Sequence, residues 1–254
     1  MDLKDSDTPR PFRTGRAALA LIALGLPGIA SLYLVLPPVA GVPAPLMVLN
    51  PLLLLAALAL VGAGAAPRAH LVSRVASRAS GLQVSLVPPC WLASLGMGIG
   101  AGIVIALADH ATRGIWQPAP LSPPSLVESW SATATIVGVA YGGVVEEILM
   151  RWGLMSLIVL VAWKIFARRA PAPPPAAIWT GIVLAALVFA AGHLPVLMAN
   201  GADIASPLLF RTLAWNAILG LLFGWLFATR DLESAMLAHA GFHLALVPLG
   251  QIIL

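Results

Sequence analysis

Two adjacent carboxylates, Glu146 and Glu147, with Arg151 four residues on, interrupt an apolar run from Ser131 to Phe166. Three of the five histidines, His193, His239 and His243, also lie inside apolar runs, all in the second half of the chain. Ionisable side chains at membrane depth cost at least about 2–3 kcal/mol each and mark cavities, ion paths or reaction centres by default. One carboxylate with several imidazoles suits two chemistries. The groups can ligate a catalytic zinc, which keeps three protein ligands and a water. They can equally work without metal, a glutamate taking a proton from water while imidazoles orient the water and stabilise an oxyanion. The plain alternative is a set of polar groups that join helices by hydrogen bonds.

Spacing sorts these groups on helices. Glu147 and Arg151, four apart, share a face and can form an internal ion pair. Glu146 is turned about 100° from Glu147 and needs a partner of its own. His239 and His243 present two rings on one face, and His193 must come from another helix. The two other histidines, His70 and His110, fall in connections and read as solvated.

The elements that must position these residues are membrane spans. The chain has 254 residues, 60% hydrophobic and only 9% charged, with a mean hydropathy of +0.96. A soluble domain carries about 25% charged residues, so a soluble fold is excluded. The expected fold is all-α, a polytopic transmembrane bundle. A span takes roughly 20 apolar residues. The candidate runs are Ala17 to Leu36, Leu46 to Ala66, Trp91 to Ala108, Ser131 to Phe166, Ala176 to Ala199, Pro207 to Phe227 and Ser234 to Leu254. The fourth would reach on the order of 50 Å as one helix, against about 30 Å of hydrocarbon. Gly142 and Gly143 inside it offer a break, so seven or eight spans are expected. The chain divides into a polar tail (1–16), a first group of three spans (17–110) and a core (131–254) of four or five helices that holds the chemistry.

Charge sets sidedness and excludes other functions. The formal net charge of +4 does not come from one basic stripe, so nucleic acid is not an expected partner. The basic residues sit at the edges of apolar runs, where the lipid bilayer reads them. Lys4, Arg10, Arg13 and Arg16 in the tail, Arg68, Arg74 and Arg78 after the second run, and Arg168 and Arg169 after the fourth all read as cytoplasmic. The Pro-rich, nearly uncharged "WQPAPLSPPS" reads as the far side. The single cysteine, Cys90, rules out an internal disulfide or a cysteine metal cage and reads as a packed thiol. Gly96, Gly98, Gly100 and Gly102, and Gly220 with Gly224, have the spacing of close helix contacts.

The ionisable residues also resemble a known family. "EEILMR" resembles the EExxxR motif of the CPBP family, the CAAX prenyl proteases of the Rce1 type and their bacterial relatives in bacteriocin processing and self-immunity. "FAAGH" is similar to its FxxxH motif, with Phe189 and His193. The stretch ending in "AHAGFH" resembles its third region. The resemblance implies an intramembrane endopeptidase. In it Glu146 activates water, His193 helps hold that water, His239 stabilises the oxyanion, and Glu147, Arg151 and Phe189 support them. His243 stands where the family has Asn, and its neutral ring still donates one hydrogen bond. Trp152 follows the arginine where many relatives have Gly.

The implied chemistry is metal-free, with no cofactor. The zinc-dependent alternative would draw ligands from Glu146, His193, His239 and His243. No HExxH is present, which disfavours a site-2 type of zinc protease. A non-catalytic immunity or scaffold protein and, more weakly, a transporter are the rival classes. The expected partner is a peptide or membrane-protein substrate. The Ala-, Gly- and Pro-rich, Lys-poor composition points to a bacterial inner membrane, where prenylated substrates are not expected.

Overall fold

Each apolar run holds one long helix. The computed structural model of the chain describes residues 12–37, 40–116, 125–199 and 207–253, and every regular element among them is helical. Most of the polar tail and nearly all of the Pro-rich loop lie outside the described residues. The elements are α1 (Thr14–Ser31), α2 (Leu49–Ala65), a short α3 (Arg74–Ala79), α4 (Trp91–Ala111), α5 (Ala132–Phe166), α6 (Pro175–Gly192), α7 (Pro207–Thr229) and α8 (Leu232–Ile253). Six are long and apolar enough to cross a membrane, and α2 adds a seventh apolar helix of 17 residues. That length still falls in the spanning range of roughly 17–25 residues. The protein is an integral membrane protein with a seven-helix bundle.

The break that Gly142 and Gly143 offered does not occur. Helix α5 runs unbroken for 35 residues, and the described residues hold six helices of spanning length and the shorter α2. Its inner part is π-helical, over Gly138–Glu146 and Ile148–Met155. The i→i+5 bonds put more residues into each turn, so a long sequence fits one crossing. Lipid offers the backbone no competing hydrogen bonds, so the glycines stay helical. They serve as contact points instead, and Gly143 lies directly on Ala240 of α8.

The run Ala176 to Ala199 is not one helix. Helix α6 stops at Gly192, and a separate short turn follows over Leu194–Ala199. Pro195 lacks an N–H, and its ring would clash with the carbonyl four residues back. It is tolerated in the first turn of a new helix. His193 falls at the junction.

Only half of the glycine stripe in α4 packs. A methyl at Gly98 would meet the Ala238 carbonyl oxygen of α8, and one at Gly102 would meet Phe242 and Ala245, whereas Gly96 and Gly100 face open space. On α7, Gly220 and Gly224 lie against Ala186 and Ile182 of α6. Trp152 is seated because Gly62 leaves room for its indole, which donates to the Ala59 carbonyl at 3.2 Å. Cys90 is exposed at the start of α4 and not packed, since nothing covers the turn before Trp91.

Contacts gather the basic connections at one end. Glu233, in the first turn of α8, accepts from Ser73 Oγ (2.7 Å) and from the backbone N–H groups of Arg74 and Val75 (2.9 and 3.0 Å), and so caps α3. Arg74 pairs with Asp231 at 2.5 Å, and Arg230 donates to Ser94 near the start of α4. His70 meets the edge of Trp163 near the end of α5, and Ser80 Oγ donates to the Arg13 carbonyl. Arg68, Arg74, Arg78, Lys164 and Arg230 thus share an end with Arg13, and Arg168 and Arg169 follow α5 there.

Gly98→Ala should wedge α4 from α8 and cost about 1–3 kcal/mol, the usual price of overpacking. Gly96→Ala should leave stability unchanged. Thermal unfolding of the two variants in detergent checks the contrast.

Candidate active site

Glu147 is the innermost charge. Its side chain has no exposure and neither, within 1%, does that of Arg151, whose Nη1 lies 3.1 Å from Glu147 Oε1. The contact is an ion pair without hydrogen-bond alignment. Arg151 Nη2 donates to the Gly220 carbonyl of α7 at 3.2 Å, and its guanidinium lies over the rings of Phe189 (4.8 Å) and Phe223 (5.4 Å). The pair expected from the i, i+4 spacing is therefore present, tied to α6 and α7.

Glu147 has a second partner. His239 Nδ1 lies 2.8 Å from the same Oε1. A carboxylate beside a guanidinium accepts, so Nδ1 carries the proton and neutral His239 turns an unprotonated Nε2 the other way. Glu146 Oε2 stands 3.9 Å from that Nε2. Glu146 was expected to need a partner of its own, and the structure instead sets the two carboxylates on opposite sides of one imidazole. A ring reaching in from α8 spans the 100° between them, which spacing along α5 alone does not show.

His193 is fixed in the same sense. Its Nδ1 lies 2.9 Å from the Phe189 carbonyl. A carbonyl only accepts, so Nδ1–H donates and Nε2 is the free lone pair. Phe189 also meets His193 edge-on at 4.9 Å, so it holds the ring from both sides. His239 is stacked between Phe223 (4.6 Å) and His243 (5.2 Å). Gly138 and Gly142 of α5 form the trough for these rings, since a methyl at Gly138 would collide with His243 and one at Gly142 would press on both imidazoles.

Glu146, His193, His239 and His243 all line one cavity of about 420 Å³. Glu147 and Arg151 do not reach it and act from beneath. His70 and His110 are elsewhere. The cavity holds two polar side chains that sequence reasoning missed, Tyr141 and Asn216. Tyr141 joins Glu146 because i, i+5 residues align in π-helical turns and not in α-helical ones. Asn216 had a signal, as a lone carboxamide in the apolar "LAWNAILGLL". Its Nδ2 donates to the Thr212 carbonyl at 2.9 Å, which fixes the side chain and leaves the second amide hydrogen for the cavity.

One wall is anchored by a buried acid that the sequence reading also passed over. Asp109 of α4, fully buried, accepts two bonds from Arg211 (2.5 and 2.6 Å), one from Trp215 Nε1 (3.0 Å) and one from the Leu126 N–H (2.9 Å). Trp215 and Leu126 both line the cavity. Among the described residues no three His, Cys, Asp or Glu side chains come together as metal ligands. His239 and His193 each direct Nδ1 to a protein oxygen, which leaves both Nε2 atoms free.

The structure is a polytopic membrane bundle with a carboxylate and imidazoles around an internal cavity, an arrangement that can hold and activate water. Residues 128–245 match the family of Rce1-like type II CAAX prenyl endopeptidases. This stretch holds all three motifs, and over it the chain is similar to the membrane peptidases of the CAAX-protease type. No curated protein and no solved structure matches the chain.

Arg151→Met should destabilise the protein by about 3–5 kcal/mol, because it leaves Glu147 buried without its cation. Chemical unfolding in detergent measures this. The surface variant Arg168→Met serves as the reference and should be neutral.

Proposed function

We propose that the protein is a glutamate-activated intramembrane endopeptidase that hydrolyses a peptide bond without metal. The observation that carries this reading is the position of Glu146. It is the one carboxylate that both lines the cavity and faces an imidazole lone pair, since Glu147 is committed to Arg151 and His239.

A water placed between Glu146 Oε2, His239 Nε2 and His193 Nε2 has three acceptors and two hydrogens, so its oxygen lone pairs remain for attack. Glu146 takes one proton as the oxygen bonds to the carbonyl carbon, and the carbonyl oxygen becomes an oxyanion. Glu146 then gives that proton to the amine nitrogen as the C–N bond breaks. The oxyanion needs donors. Neutral His239 has none free toward the cavity, so the first donors are the Asn216 amide N–H and the His243 ring N–H. The His239 Nε2 lone pair serves the attacking water instead. The cavity is otherwise apolar, with Val137, Leu219 and Phe242 among its walls, which suits hydrophobic side chains beside the scissile bond. A peptide or the juxtamembrane segment of a membrane protein is the substrate class. The Ala-, Gly- and Pro-rich, Lys-poor composition supports a bacterial cytoplasmic membrane as the setting.

Purified protein offered a peptide library should cleave a subset of it. Glu146→Gln should abolish cleavage, and a chelator should leave the wild type unchanged. Loss of wild-type activity with chelator and stoichiometric zinc in the protein would overturn the metal-free mechanism. Equal cleavage by Glu146→Gln would overturn the catalytic assignment. Asn216→Ala should lower kcat by about 10²–10³-fold, the effect of removing one oxyanion donor, with little change in KM.

A further inference from the structure

We infer that the active-site cavity faces away from the cytoplasm, so that substrates reach it from the opposite side of the membrane. The inference rests on the reading of Glu146 as the catalytic base and adds the face from which its substrates come.

The first observation is the direction of the cavity. Helices α5 and α7 run toward the basic end of the bundle, and α6 and α8 run away from it. On each of the four, the lining residue nearest the basic end is also the chemistry or its immediate support: Glu146 on α5, Leu219 on α7, Phe189 on α6 and His239 on α8. These residues form the floor. All the remaining lining positions on those helices lie farther from the basic end. Val35, beyond the end of α1, and Leu126, before the start of α5, continue the cavity to that far rim. Below the floor the bundle is closed. Arg151 and Glu147 lie there, and Trp152, Met155, Phe223 and Leu226 fill the layer beneath with at most 1% exposure each.

The second observation is charge. The described basic residues at the near end include Arg13, Arg68, Arg74, Arg78, Lys164, Arg168 and Arg169, in short connections next to helix ends. At the far end stand Arg113, beside His110, and Arg211, which is neutralised by Asp109. Lys and Arg in short loops stay on the cytoplasmic side. The near end is therefore cytoplasmic and the cavity rim is not. The substrate class that follows is a peptide or juxtamembrane segment exposed on the non-cytoplasmic face, with apolar residues that can descend the cavity to Glu146.

The chain carries its own reporter for the near end, since Cys90 is its one cysteine and is exposed there. Ser129, also exposed, lies in the rim segment. Sealed right-side-out bacterial cells expressing the protein are treated with a membrane-impermeant maleimide. Ser129→Cys in a Cys90→Ser background should label in intact cells, and native Cys90 only after permeabilisation. Labelling of Cys90 in intact cells, alone or together with position 129, overturns the inference. So does failure of position 129 to label from outside.

A second arm supplies a peptide cleaved by the purified protein either to the outside of intact cells or to inverted membrane vesicles. Cleavage by intact cells that is lost in Glu146→Gln supports the inference, and cleavage confined to inverted vesicles overturns it. Should Glu146→Gln match the wild type in both preparations, the protease reading falls together with the substrate class. The labelling result would still decide which way the cavity faces.

Discussion

Everything at this site depends on a single buried carboxylate oxygen. Glu147 Oε1 receives both the guanidinium of Arg151 and the Nδ1–H of His239. A charge taken out of water costs several kcal/mol and is tolerated only when paired and hydrogen-bonded. The surroundings follow from that demand. Arg151 must stay beneath the site, so α6 and α7 meet it with an aromatic face and a carbonyl. His239 must keep one tautomer, so its ring is clamped between Phe223 and His243. Gly138 and Gly142 of α5 stand where those rings need room.

The same arrangement divides labour between neighbours in sequence. Glu147 has no exposed side-chain surface, whereas Glu146 retains 22%. The first is held by fixed partners and is spent on orientation. The second keeps contact with a space that can hold water, and the imidazole lone pair it faces stands 3.9 Å away, beyond direct hydrogen-bond reach. Two identical side chains one residue apart thus take different roles because their burial and partners differ, in the way that paired carboxylates elsewhere divide acid and base work.

Much of this was legible in the sequence, for physical reasons. Hydrophobic runs of spanning length located every long helix among the described residues, because the bilayer leaves few alternatives. The Glu147–Arg151 pair could be read from its spacing, and His193, His239 and His243 stood out because polar groups are costly at that depth. What was hidden depended on approach between helices. Nothing along α5 reveals that His239 bridges both glutamates, or that Asn216 of α7 faces the same cavity. The π-helical register was hidden too, since hydropathy does not distinguish it from an α-helix. That register is why the glycine pair does not break the helix and why Tyr141 lines up with Glu146. Asp109 was missed because it sits near the end of a run, where an acid reads as interfacial, although it is fully buried.

The widened turns of α5 have a consequence for how this protein can vary. Substitution in the apolar positions of this helix changes volume, but the count of residues between its anchor at the basic end and Glu146 sets the angle at which that carboxyl points. Removing a single residue from Ile148–Met155 would leave hydropathy and helix length almost unchanged. It would nonetheless rotate Glu146 and everything before it by roughly a quarter of a turn, turning its carboxyl from the cavity to the neighbouring helix. Insertions and deletions are usually accommodated in loops; in α5 they would act as a change of active site, so residue number is under tighter constraint here than residue identity.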